Sequence, residues 1–192
     1  CPHVLSLCAA VVAHPIFTPM KVLVIYSHSY HDTSHAGKVI LDVFKTQPDF
    51  EVRNLEEIYP NCAPIDIALE QQRLVEADII IFHHPIFWFN MPAGLKHYMD
   101  EVFQYGFAYG STGGKLRGKK FIHSYTTGVG AATFAGELGE VLPAALKASA
   151  GFCGMDYQGA FPLYGQMALT NPNVPAEAKA HAERVVEFVR SL

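Results

Sequence analysis

Asp78-Ile79-Ile80-Ile81-Phe82-His83-His84-Pro85-Ile86-Phe87-Trp88-Phe89-Asn90-Met91-Pro92 is the stretch on which the reading of this chain turns. Ile79 to Phe82 is an apolar run of strand length without polar alternation, the pattern of a parallel strand buried on both faces. A proline- and aromatic-rich loop follows at once. Pro92 then falls in the first turn of a helix on which Leu95, Tyr98, Met99, Val102 and Phe103 keep helical spacing. In open α/β sheets ligands bind at the carboxyl ends of the strands, so Pro85, Ile86, Phe87, Trp88 and Phe89 occupy a ligand position. Their rings suit a flat aromatic ligand.

Outward from this segment, strand and helix signals alternate, as in a doubly wound parallel sheet. Lys21 to Ser27, Phe50 to Leu55, Asp78 to His84, Lys119 to Thr126 and a short run between Asp156 and Leu163 read as five strands. Helices are predicted with core stripes Ala36, Val39, Ile40, Val43, Phe44 and, later, Leu138, Val141, Leu142, Ala145, Leu146, the latter ending near Gly151 and Gly154. Asp66 to Ala77 is a more polar helix. The last helix starts near Pro175 and turns Ala178, Ala182, Val185, Val186 and Val189 inward. Such a chain suits the flavodoxin-like strand order 2-1-3-4-5 in one α/β domain over residues 20-192, with helices on both faces. The glycine-bearing loop from Gly110 to Gly118 is expected to be the most mobile internal segment.

Residues 1-19 differ from the rest. Val4 to Ala13 is apolar like the core of an export signal, but no basic residue precedes it. An upstream extension outside the fold, with Met20 as the natural start, is the expectation, and a truncated signal is the alternative. The 192 residues carry a formal net charge of −4, which offers no electrostatic basis for binding nucleic acid. Cys1, Cys8, Cys62 and Cys153 form no C-x-x-C pair, so free thiols in a reducing, cytoplasmic compartment are expected.

Two further loops join the aromatic one at the carboxyl edge. After the first strand comes Ser27-His28-Ser29-Tyr30-His31-Asp32-Thr33-Ser34-His35-Ala36-Gly37, where Thr33 or Ser34 is placed to cap the next helix. A helix amino terminus offers free N–H groups and partial positive charge, so this loop can cradle a phosphate. An ordinary capped helix with solvent-facing histidines explains the same residues. A zinc set from His28, His31 and His35 lacks a fourth ligand. After the fourth strand, Thr126-Thr127-Gly128-Val129-Gly130 lets backbone amides approach a ligand edge, although a structural turn would look the same. Neither loop carries a P-loop or a G-x-G-x-x-G fingerprint, and no nucleophile elbow or carboxylate pair suggests hydrolysis. His83 and His84 read as satisfied structural histidines.

With these residues in view, the chain resembles the flavodoxin-like NAD(P)H:quinone oxidoreductase family. The resemblance is especially to the short bacterial members related to ancillary flavoproteins of glutathione-gated potassium efflux systems. The likeness runs from Met20 to Leu192. It is carried by Ser34-His35-Ala36, His84 to Phe89, Leu95-Lys96 with Asp100-Glu101-Val102-Phe103, Gly106-Phe107-Ala108-Tyr109 and Thr126-Thr127-Gly128. The resemblance implies bound FMN rather than FAD, since the carboxy-terminal extension of the longer FAD-binding relatives is missing. It also implies NADH or NADPH as hydride donor, a quinone or other electrophile as acceptor, and a homodimer with its active sites at the subunit interface. A potassium efflux transporter is implied as a further partner, with a cytoplasmic location that can be peripheral at the inner membrane face. By the same resemblance His28 and Ser34 to Gly37 would hold the flavin phosphate, and Ile86 to Phe89 would contact the ring and ribityl chain. Thr126, Thr127, Gly128 and Val129 would line the pyrimidine edge, and Tyr105, Phe107, Tyr109 and Phe134 the substrate slot. Phe134 stands where the animal quinone reductases have tyrosine, so their tyrosine–histidine charge relay does not transfer.

Overall fold

The apolar runs Val22 to Tyr26 and Ile79 to Phe82 form the centre of one parallel sheet of five strands in the order β2-β1-β3-β4-β5. The strands of this computed structural model, which describes residues 20–192, are β1 (Val22–Tyr26), β2 (Phe50–Asn54), β3 (Ile79–Pro85), β4 (Lys120–Thr126) and β5 (Asp156–Leu163). The expected extension over residues 1-19 lies outside the described residues. The helices are α1 (His35–Lys45), α2 (Leu55–Ile58), α3 (Ile67–Glu76), α4 (Ala93–Val102), α5 (Glu137–Phe152) and α6 (Val174–Arg190). All residues of β1 and β3 are buried, as their lack of alternation requires.

The two faces of the sheet hold separate cores. Leu23, Ile25, Ile80, Phe82 and Phe121 meet α3, α4 and α5 through Leu74, Leu95, Tyr98 and Leu146. Val22, Val24, Tyr26, Ile79, Ile81 and Ile122 meet α1 and α6 through Ile40, Leu41, Phe44, Ala178 and Val185. Register pairs Tyr26 with His83 and Pro85 with Thr126, which aligns the carboxyl ends of the three central strands.

Two elements depart from the sequence expectation. Leu55 starts the short α2 rather than ending β2. On α5 the buried stripe is Leu142, Leu146 and Ala150. Leu138 and Val141 are about half exposed and Ala145 is also exposed, because α5 covers an outer part of the sheet and touches it along a narrow line. The glycine loop between Gly110 and Gly118 is anchored by fully buried Leu116, and the Gly114 and Lys115 N–H groups both donate to the Phe107 carbonyl (3.0 Å each). Cys62 and Cys153 are free thiols. No helix among the described residues is long and apolar enough to cross a membrane.

Candidate active site

Three loops and a fourth converge on one cavity of about 350 Å³, within the range of small-molecule sites. His28, Thr33, Ser34, His35 and Ala36 line it from the β1–α1 loop, Pro85, Ile86 and Phe87 from the end of β3, and Thr126, Thr127 and Gly128 from the end of β4. Gln166, Ala168 and Leu169 complete the wall from the loop between β5 and α6. That loop has no recognisable motif in the sequence. Its one advance signal is its place at the carboxyl end of a parallel strand.

At the β1–α1 end the capping expectation holds: Ser34 is the N-cap of α1, and its Oγ accepts from the Gly37 N–H at 3.0 Å. Gly37 is therefore not a free donor. His35 and Ala36, in the first turn and on the cavity wall, carry the N–H groups that no intrahelical carbonyl can reach. Tyr26, a residue that sequence reasoning missed, supports this turn from below. It is fully buried, its hydroxyl hydrogen-bonds His31 Nδ1 (3.0 Å), and its ring stacks on His83. Glu56 ties down the start of the loop by accepting from Ser27 Oγ (2.7 Å) and the His28 N–H (2.9 Å). His28 Nδ1 accepts from the Tyr30 N–H at 3.1 Å, so the ring proton sits on Nε2. Burial, and next the nearby His31, push the His28 pKa down to about 4, which makes it a neutral donor at pH 7.

The aromatic loop turns tightly. Phe87 and Asn90 exchange backbone hydrogen bonds of 2.9 and 3.0 Å, with Trp88 at φ 48° and Phe89 at φ 62° between them. Two bulky residues in the left-handed region store about 1–3 kcal/mol each, and such strain gathers at ligand clamps. The turn throws the Trp88 ring outward, 94% exposed, so that Phe87 and not Trp88 faces the cavity. Phe89 lies outside the cavity wall with its ring against Phe134. On the β4 loop the Thr127 N–H donates to the Leu163 carbonyl (3.0 Å), and the Gly128 N–H makes no hydrogen bond among the described residues. Val129 is about half exposed and does not line the cavity.

The residues expected around a substrate slot separate into two groups. Tyr105 and Tyr109 are exposed and stand edge to face, and Tyr109 contacts the exposed Phe152 of α5. Phe107 instead joins the core beneath α4, and Phe134 packs with Tyr125, Leu142 and Tyr164. Their apolar rings gain more from the core than the slot could offer.

The strand-end histidines are satisfied structurally, as the sequence suggested. His84 Nδ1–H donates to the Pro85 carbonyl (2.8 Å), which leaves Nε2 to accept from His123 Nε2–H (2.9 Å). On the opposite face Ser124 Oγ bridges His83 Nδ1 and His181 Nε2 at 2.8 Å each. Burial holds the His84 and His181 pKa values down to about 4 and those of His83 and His123 well below the usual range. A second cavity, of about 560 Å³ and lined by Tyr30, His31, Glu57, Tyr59, Cys62 and His97 among others, lies on the far side of the β1–α1 loop, away from the β3 and β4 strand ends.

An open parallel sheet with a helix amino terminus and backbone amides at its carboxyl edge is the kind of arrangement at which α/β proteins bind phosphate-bearing ligands. The chain belongs to the family described as having a flavodoxin-like fold, whose sequence profile matches residues 20–189. It is 37% identical over 172 residues to the glutathione-regulated potassium-efflux system ancillary protein KefF of Enterobacter sp. (strain 638), covering 87% of this chain and 96% of that protein. The general stress protein 14 of Treponema denticola, solved in complex with FMN, superposes with a TM-score of 0.79 at 30% identity, over 89% of this chain and 98% of that one. An NADPH-quinone reductase from P. pentosaceus shares the fold with a TM-score of 0.72 at 22% identity, over 86% and 97% of the two chains.

Proposed function

We propose that this chain is an FMN-dependent NAD(P)H:quinone oxidoreductase. The observation that carries the reading is the single cavity in which the Ser34-capped helix terminus, the Pro85–Phe87 edge and Gly128 meet. The FMN bound in the solved T. denticola relative supports the choice of cofactor. FMN, when bound, supplies two-electron hydride acceptance and donation. The protein's part is binding, orientation and electrostatics. The His35 and Ala36 N–H groups and the positive end of α1 bind the phosphate, with His28 Nε2–H and the Ser34 hydroxyl hydrogen as further donors. Pro85, Ile86 and Phe87 hold the ring and polyol chain, and Thr126, Thr127 and the free Gly128 N–H meet the ring's polar edge.

NAD(P)H and a quinone are both flat, and each would stack in turn on the same exposed face, giving ping-pong kinetics. Trp88, Phe89, Tyr105 and Tyr109 would wall that slot in a homodimer. Support for the dimer comes from the outer apolar stripe Leu138, Val141, Ala145 and Phe152 on α5, continuous with Tyr109 and too apolar to be left bare. The test is to release and identify the bound flavin, then measure turnover with NADH and NADPH against a quinone. Parallel double-reciprocal plots from a dimer support the reading. Intersecting plots from a fully active monomer overturn the shared slot and the interface site.

A second reading is favoured by the 37% identical relative, named as an ancillary protein of a potassium-efflux system. In it the chain docks on the cytoplasmic part of a transporter, peripheral to the membrane, and its enzyme activity is secondary. Co-purification with a transporter encoded beside it distinguishes this reading, and its absence from such a complex counts against it.

A further inference from the structure

The loop after β5 contributes a side chain whose hydrogen bonding is incomplete in one specific way. Gln166 Nε2 donates to the Glu177 carboxylate (2.8 Å) and to the Tyr164 carbonyl (2.9 Å). Both partners are acceptors only, so the amide cannot be flipped without placing its oxygen against two oxygens. The loop itself is held. The Gln166 N–H donates to the Thr127 carbonyl at 2.7 Å, and Asn171 Nδ2 donates to Glu177 (2.9 Å) and to the Gly165 carbonyl (3.0 Å). The carboxylate that anchors both amides is itself kept ionised by them, since their hydrogen bonds lower the Glu177 pKa.

What remains is Gln166 Oε1, buried and without a donor among the described residues, on a side chain that lines the same cavity as Ser34, Phe87 and Gly128. A buried acceptor left unmade costs free energy, and a side chain clamped in this orientation cannot turn away to relieve it. A ligand that brings an N–H or O–H to this point removes the cost. One that brings a carbonyl or a methyl group does not.

We propose that Gln166 is a specificity-determining contact of the cofactor site, its side-chain carbonyl accepting a hydrogen bond from a donor on the bound flavin, either the ring imide N–H or a hydroxyl of the polyol chain. The assignment rests on the flavin reading above and adds a fourth loop to it. Glu177 acts through Gln166 as a positioning residue, fixing which end of the amide faces the ligand.

The experiment is a set of fluorescence titrations of flavin-free protein with FMN, with FMN methylated at the ring imide nitrogen, and with FMN lacking a polyol hydroxyl. The proteins are the unaltered chain, Gln166→Met, which keeps the length but has no acceptor, and Glu177→Ala, which frees the amide. Expected are a loss of about tenfold in FMN affinity for Gln166→Met, a smaller loss for Glu177→Ala, and a matching loss for one analogue on the unaltered protein. That analogue and FMN should bind Gln166→Met equally, and which analogue it is identifies the donor. If Gln166→Met binds FMN as tightly as the unaltered chain, or both analogues bind the unaltered chain as well as FMN does, the contact is refuted while the flavin reading stands. If the unaltered chain takes up no flavin, both fall. Should Gln166→Met fail to fold, Glu177→Ala titrated with FMN and both analogues decides the question: the contact stands if freeing the amide shrinks the difference between FMN and the affected analogue, and it is refuted if that difference is unchanged.

Discussion

Replacing Gly37 by alanine should destabilise this protein, although the same change in most helices does the opposite. Gly37 is in the first turn of α1, where alanine's helix propensity would ordinarily contribute about 1 kcal/mol of stability. Here an added Cβ would lie 2.4 Å from Tyr26 Oη, 2.6 Å from Ser34 Oγ and 3.3 Å from Tyr26 Cζ. Ser34 can rotate away only by giving up its cap on the Gly37 N–H, a loss of about 1 kcal/mol. Tyr26 cannot retreat, because its ring is fully buried on a central strand and stacked on His83. Forcing a methyl group into such a site costs about 1–3 kcal/mol, so the net change is a loss of about 1–3 kcal/mol. In a chain of this size that lowers Tm by roughly 2–4 °C for each kcal/mol. Urea unfolding of Gly37→Ala, Tyr26→Phe and the double variant measures it. Removing the Tyr26 hydroxyl removes the closest contact, so the double variant should lose less than the two single losses together, by about 1 kcal/mol. A Gly37→Ala protein as stable as its parent, or strict additivity in the cycle, would refute the reasoning.

Ser34→Ala should lower stability by about 1 kcal/mol through the cap and weaken FMN binding by roughly 10- to 100-fold through the lost phosphate donor; an unchanged flavin dissociation constant would remove Ser34 from the phosphate site. Stability should fall as the pH drops from about 6.5 to 4. The His84 and His181 pKa values are held down to about 4 in the folded protein, so over that window the unfolded chain binds more protons, and folding loses roughly 2 kcal/mol per histidine by pH 5. Equal urea midpoints at pH 7.5 and pH 5 would contradict this. Glu70→Ala should cost about 3–5 kcal/mol, because fully buried Glu70 accepts two bonds from Arg53 Nε (3.0 and 2.9 Å) and one from the Tyr59 hydroxyl (2.7 Å), and its loss strands the guanidinium. A small change in the unfolding midpoint would show that water reaches Arg53.

The sequence by itself determined the order of elements and the edge at which the candidate site lies. Runs such as Ile79 to Phe82 state their burial through the absence of alternation, and the carboxyl ends of parallel strands follow from the order alone. Ser34 was legible as a cap because a cap is a contact between residues three apart. Only the tertiary structure decided what depends on register between distant strands. His84 meets His123 and His83 meets His181 through pairings of about 39 residues or more, which no local pattern encodes. The same holds for Tyr26 beneath the β1–α1 turn and Gln166 in the cavity wall. Leu138 and Val141 share α5 with Leu142, and the helical period cannot say which apolar stripe meets the sheet. Trp88 shows the limit most plainly. Its composition marks a ring-binding loop, but two left-handed residues turn it to solvent and leave Phe87 facing the cavity, because the direction of a side chain is set by the dihedral angles of its own turn and those are fixed by the strands on either side.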